Sequence, residues 1–99
     1  MGMSVGLCRV SLRLPENDSL KGKRQVLKSL VSRIHNRFNV SAAEIDDQDS
    51  WQIVSIGISC VSNDDRHAGQ VLESVVSFIR RERLDAELIA YETEIIHGI

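Results

Sequence analysis

The amino-acid sequence predicts an α+β sandwich of element order βαββαβ, in which two helices cover one face of a four-stranded antiparallel sheet with strand order 4-1-3-2. Three observations carry this prediction. Residues 3–14 and 51–61 alternate in polarity with the two-residue period of a half-buried strand. Two further stretches repeat apolar residues at three- and four-residue steps, the mark of a helix that buries one stripe. Turn and capping residues bound each of these segments, so the elements follow one another without a linker.

In chain order, Cys8, Val10, Leu12 and Leu14 share one face of the first strand, with Arg9, Ser11 and Arg13 on the other. Pro15, Asn17 and Asp18 then supply turn chemistry. A helix follows, capped by Asp18 or Ser19. Its stripe is Leu20, Leu27, Leu30, Val31, Ile34 and Phe38, and it closes at Asn39, a residue that tolerates the left-handed conformation. Residues 40–45 form a short strand, followed by the acidic turn Asp46, Asp47, Gln48, Asp49 and Ser50. The clearest strand is 51–61: Val54, Ile56, Ile58 and Cys60 point inward, while Trp51, Ile53, Ser55, Gly57 and Ser59 point outward. Residues 62–65 cap a second helix whose stripe is Ala68, Val71, Leu72, Val75 and Ile79, ending near Arg80, Arg81 and Arg83. Residues 85–96 close as a last strand, with Ile89, Tyr91, Thr93 and Ile95 on its more apolar parity. Right-handed crossovers place strands one and three in the centre, expected to run parallel to each other. This is the ferredoxin-like split βαβ arrangement.

The length of 99 residues fits one domain, spanning 1–99. Such a chain buries roughly two thirds of its unfolded surface, enough to fold without metal or disulfide. No apolar run approaches the ~20 residues of a membrane span, and no secretory leader is recognised, so a cytoplasmic protein without membrane contact is expected. Cys8 and Cys60 each sit in an apolar strand, as reduced buried thiols do.

Charge is segregated within a chain of net charge −2. Residues 1–43 hold eight Lys/Arg against two Asp/Glu, and residues 44–99 hold four against twelve. Between Ser19 and Ala43 stand Lys21, Lys23, Arg24, Lys28, Arg33 and Arg37 with no carboxylate among them. Helical spacing puts Lys21, Arg24 and Lys28 on one flank of the apolar stripe, with His35 further along. Arg33 and Arg37 fall on the other. Lys23 projects near the stripe, where its stem covers apolar surface while its ammonium is expected to reach water. Cations in a first helical turn oppose the dipole by roughly 0.3–1 kcal/mol apiece. Free backbone N–H groups at that end favour anions, and Gly22 leaves room for a phosphate. Each choice weakens a helix and improves an anion site. The alternative is a solvated face whose cations pair with the acidic half of the same or a neighbouring chain.

The open sheet face presents Arg9, Ser11, Arg13, Ser55, Gly57 and Ser59 from the central strands. The aromatic platform on which RNA-recognition motifs stack bases is missing, which argues against single-strand readout of that kind. Val5, Leu7, Trp51 and Ile53 share the outward parity and make a candidate homodimer patch, against loop packing of Trp51. Arg9 and Arg13 have a structural explanation, cross-strand pairing with Glu92 and Glu94.

No glycine-rich phosphate loop, H-E-x-x-H, C-x-x-C or nucleophile elbow occurs. His35, His67 and His97 lack metal-ligand spacing, and Asp46, Asp47, Asp49, Asp64 and Asp65 fit solvated turns and caps better than a cation site. No catalytic residue, metal or cofactor is implied.

The run Ser19-Leu20-Lys21-Gly22-Lys23-Arg24, with Gln25 to Leu30 after it, resembles the Ser-Leu-Lys-x-Lys-Arg signature of the YlxP-like family of small bacterial proteins of unknown function. The resemblance continues through Arg37-Phe38-Asn39-Val40-Ser41, Ala43-Glu44, Asp49-x-Trp51 and Val61-Ser62-Asn63-Asp64, and covers nearly the whole chain. Gly22 is smaller than the residue expected in that slot. The resemblance implies a ferredoxin-like fold. Family members are often encoded beside translation-initiation and ribosome-maturation genes, which implies a ribosome- or RNA-linked role. The expected function is therefore a non-enzymatic accessory protein binding structured ribosomal RNA or a ribosomal particle through Lys21, Gly22, Lys23, Arg24 and Lys28, with Arg33 and Arg37 as a second flank. The alternative is a dimeric protein-interaction or small-ligand regulatory module using the open sheet face.

Overall fold

The computed structural model describes residues 2–15, 17–45, 50, 52–82 and 86–99. Its elements are β1 (Ser4–Arg13), α1 (Leu20–Arg37), β2 (Ser41–Glu44), β3 (Ile53–Ser62), α2 (Asp65–Glu82) and β4 (Glu87–His97). The sheet order is β2-β3-β1-β4, the predicted ferredoxin-like topology. Strands β1 and β3 are central but antiparallel, not parallel as expected. The physical reason is that the connection from β2 to β3 reverses the chain, so each helix joins two strands that are parallel but separated by one other.

The alternation of β1 and β3 sorts their side chains as predicted. Cys8, Val10, Leu12, Val54, Ile56, Ile58 and Cys60 are buried under the helices. Opposite them α2 contributes Ala68, Leu72, Val75, Val76, Phe78 and Ile79, whereas α1 contributes Leu27, Ile34 and Lys23. Gly6 lets α2 lie close to β1, since a Cβ there would stand 2.9 Å from Leu72 Cδ1 and 3.1 Å from Cys60 Sγ. Both cysteines are free and buried. Burial, then the carboxylates of Glu73 and Glu92, push the Cys8 thiol up to about 11, so it stays protonated and unreactive at neutral pH.

Three local expectations change. Helix α1 stops at Arg37, and Phe38 caps it in extended conformation with φ −131°. No described non-glycine residue has positive φ, so Asn39 is not left-handed. Phe38 turns straight toward β2 because its ring packs edge-on against Phe78, with centroids 5.6 Å apart. In β4, Tyr91, Thr93 and Ile95 lie opposite Val10, Cys8 and Gly6, on the helix side as predicted. Ile89 does not join them. A register shift between Ser11 and Leu12 pairs those residues with Ala90 and Leu88, which leaves Ile89 as the extra, exposed residue of a bulge.

One end of the sandwich is tied by polar contacts. The buried Ser4 hydroxyl donates to Asp65, and His97 Nδ1 lies 3.2 Å from the same carboxylate oxygen. These contacts hold the Asp65 carboxyl below its ordinary range, with the Ser4 hydrogen bond foremost. Ser4 and His97, opposite each other in the register, both reach the same Asp65 oxygen, so this trio joins β1, α2 and β4. Neither helix is long and apolar enough to cross a membrane.

Candidate nucleic-acid interface

The start of α1 is built by Ser19 and Asn17. Ser19 Oγ accepts from the Gly22 N–H at 3.0 Å, its carbonyl accepts from the Lys23 N–H, and Asn17 Nδ2 donates to that same carbonyl at 2.7 Å. The first turn contains no acidic residue. A Cβ at Gly22 would sit 2.1 Å from Asn17 Oδ1. The space expected to admit a phosphate is thus filled from within, and Gly22 serves the cap.

The six predicted cations separate into three groups. Lys21, Arg24 and Lys28 are exposed along one edge of α1, at steps of three and four residues. Those steps correspond to rises of about 4.5 and 6 Å along the axis. Among the described residues these three have no ion-pair or hydrogen-bond partner. Arg24 and Lys28 rim a shallow cleft of about 240 Å³ over Leu27, Val31 and Ala43, with Glu44 also in its lining. His35 Nε2, further along the helix, accepts the Ala42 N–H at 3.2 Å and pins the edge of β2 to α1.

Lys23 forms the second group and corrects an expectation. It is 4% exposed, its Nζ donates to the Ser50 carbonyl at 3.1 Å, and Glu44 Oε2 lies 3.8 Å away. Its ammonium does not reach water, because the stripe position it occupies turns it toward Ser50 and Glu44. Lys23 is an internal strut, its buried charge placed against a carbonyl and near a carboxylate.

Arg33 and Arg37 form the third group. Arg33 pairs with Glu82 at 3.0 Å, and the Arg37 guanidinium lies 5.3 Å from the centre of the Phe78 ring. The second flank therefore faces α2. No local pattern exposes this, since Arg33 and Glu82 are 49 residues apart in sequence.

The open sheet face also differs from expectation. Val5 lies opposite Val61 and Leu7 opposite Ser59, whereas Ile53 lies opposite Arg13 at the other end. Eight residues of strand, about 26 Å, separate Val61 from Ile53. The predicted patch is thus divided, and its Trp51 lies outside the described residues. The residues flanking Val5 are Val61 and Ile96, at 69% and 44% exposure. Finding them requires the register, which hydropathy alone does not supply. Of the expected Arg–Glu pairings, Arg9 stands opposite Glu92 in the register, and the close ion pair is Arg13–Glu87 at 2.9 Å.

The fold and site together define a ferredoxin-like domain with an electropositive edge on its first helix. Residues 5–93 match the family model described as protein of unknown function DUF503, and the chain belongs to that family. It is 40% identical over 75 residues to the uncharacterized protein YlxP of Bacillus subtilis (strain 168), covering 76% of this chain and 82% of that protein. Among solved structures it is similar to a C-terminal segment of the alpha subunit of aIF2 from Pyrococcus abyssi. That likeness has TM-score 0.52 and 15% identity, and covers all of this chain and 52% of the segment. The designed protein Foldit4 is similar too, with TM-score 0.52 and 13% identity over 98% of this chain and 99% of its own. Both share the fold.

Proposed function

We propose that this protein is a non-enzymatic accessory factor that binds structured RNA, as a ribosomal particle displays it, through phosphate contacts from the exposed edge of α1. The observation that carries this reading is the set Lys21, Arg24 and Lys28: exposed, collinear and in no ion pair among the described residues, with Glu44, across the cleft, engaged by Lys23. Two of the three lie in the first turn and a half, where a positive dipole end makes cations unfavourable unless an anion arrives. A collinear row of cations contacts phosphates without reading bases, so binding is salt-dependent and largely indifferent to sequence. Lys23 supports the row from behind, and Arg33 and Arg37 orient α1 against α2.

Sucrose-gradient co-sedimentation with ribosomal subunits at low and moderate salt tests this. The wild type travels with subunits at low salt and leaves them as salt rises, and a Lys21→Glu/Arg24→Glu/Lys28→Glu variant stays at the top. Equal migration of the two proteins overturns the reading. So does capture that survives nuclease treatment, which would assign the cations to an acidic protein surface.

A further inference from the structure

We infer that a second copy of this chain packs on the open sheet face, seated on the row Val61–Val5–Ile96, whose centre is half-buried and whose flanks are exposed, and fixed by Arg9 and Glu92. The register builds this surface. Val5 lies between Val61 and Ile96; two residues on, Leu7 lies between Ser59 and Glu94; two further, Arg9 lies between Gly57 and Glu92. Val61, Ile96 and Leu7 are 69%, 44% and 38% exposed, although they project from three hydrogen-bonded strands. A contiguous apolar row on a sheet with no layer over it marks an association surface.

Self-complementarity selects the occupant. In a two-fold contact the same patch meets itself, so it must carry both an attractive apolar part and both signs of charge. An axis lying along the strands sets each row over the same row of the second copy. Val61–Val5–Ile96 then meets its equivalent, and Arg9 reaches the partner's Glu92 from the strand beside it. Neither Arg9 nor Glu92 has an ion pair among the described residues. Three strands of about 33 Å make the face about 14 Å wide, and the four residues of β2 widen it only locally. That flat area of about 500 Å², enlarged by side-chain relief, is the larger part of the ~800 Å² per partner of a stable interface. Ile45 lies over Gly57, where a Cβ would stand 2.5 Å from its Cγ2, so the second copy seats on the β1–β4 side of the face with Ile45 as its rim.

The edges of the sheet suit a second copy less well. Strand β2 has only four residues. Strand β4 is long, but antiparallel self-pairing centred on Glu92, Thr93 or Glu94 places a glutamate directly opposite a glutamate. Charged residues of this kind guard an edge against pairing.

Sedimentation equilibrium on the full chain at tens of micromolar is the test, and a dimer is expected. Val61→Asp, a change at an exposed side chain that leaves the core untouched, should weaken the dimer at least about 30-fold. Arg9→Glu should weaken it less, and adding Glu92→Arg should restore it. Ile89→Asp, on the β4 bulge, should change nothing, and circular dichroism verifies that each variant is folded. A monomeric wild type at these concentrations overturns the inference. A dimer indifferent to Val61→Asp but broken by Ile89→Asp also overturns it and moves the seam to the β4 edge.

Discussion

At the start of α1, Lys21, Arg24 and Lys28 stand exposed and in no ion pair among the described residues. Three turns later Arg33 and Arg37, also exposed, are engaged by Glu82 and Phe78 of α2. The two ends of one helix thus use the same residue types for different work. The difference teaches that a cation's role follows from what the fold brings to it. Lys21 and Lys23 show this at the shortest range: two positions apart, one is exposed and the other is buried against Ser50 and Glu44.

The comparison breaks most sharply on RNA affinity. Reversing Lys21, Arg24 and Lys28 should reduce filter binding of ribosomal RNA to background, and replacing all three by alanine should make the log–log salt slope shallower by about 3. An unchanged slope would make the two ends equivalent. Next in size is Lys23→Ala, which leaves a void and an unpaired carbonyl in a covered site. A loss of about 2–4 kcal/mol in urea unfolding is expected, with RNA affinity per folded molecule unchanged. Lys23→Met should recover part of that loss by refilling the void. Gly6→Ala drives a methyl against Leu72 and Cys60 and should cost about 1–3 kcal/mol by overpacking, again without touching RNA binding. Arg33→Ala removes a solvent-exposed pair and should cost no more than about 1 kcal/mol in the same unfolding series. A large loss there would mean that α1 depends on this contact for its position.

The smallest expected effect concerns pH. The Asp65 carboxyl is lower in the folded chain than in the unfolded one, because Ser4 and His97 bond its charged form. Its contribution is therefore complete above the ordinary carboxylate pKa and is lost as pH falls through the depressed folded value. Melting temperature against pH should fall less steeply on the acid side in Asp65→Asn than in wild type. Identical slopes would remove Asp65 from the acid response.

Much of the fold was legible because it is written in local periods. The two-residue alternation of β1 and β3 and the stripes of both helices sort the core residues, and Ser19 announces the first cap. What depends on contacts distant in sequence was not legible. Ile89 leaves its expected face because a bulge shifts the register of β4 against β1. Lys23 looks like a surface residue until Ser50, 27 positions away, is placed above it. Val61 and Ile96 become neighbours of Val5 only through two strand pairings, and Ile53 is carried to the far end by the same register. The relative direction of β1 and β3 follows from the connection between β2 and β3, not from either strand alone.

The core also carries its own chemical clock. The chain's two sulfhydryl groups, on Cys8 and Cys60, are buried between helices and sheet, where an alkylating reagent is hindered while the two layers stay together. Trapping with a maleimide or disulfide reagent would therefore proceed chiefly during separation of the two layers. Its rate, read by mass, would time that breathing in dilute lysate as readily as in purified protein.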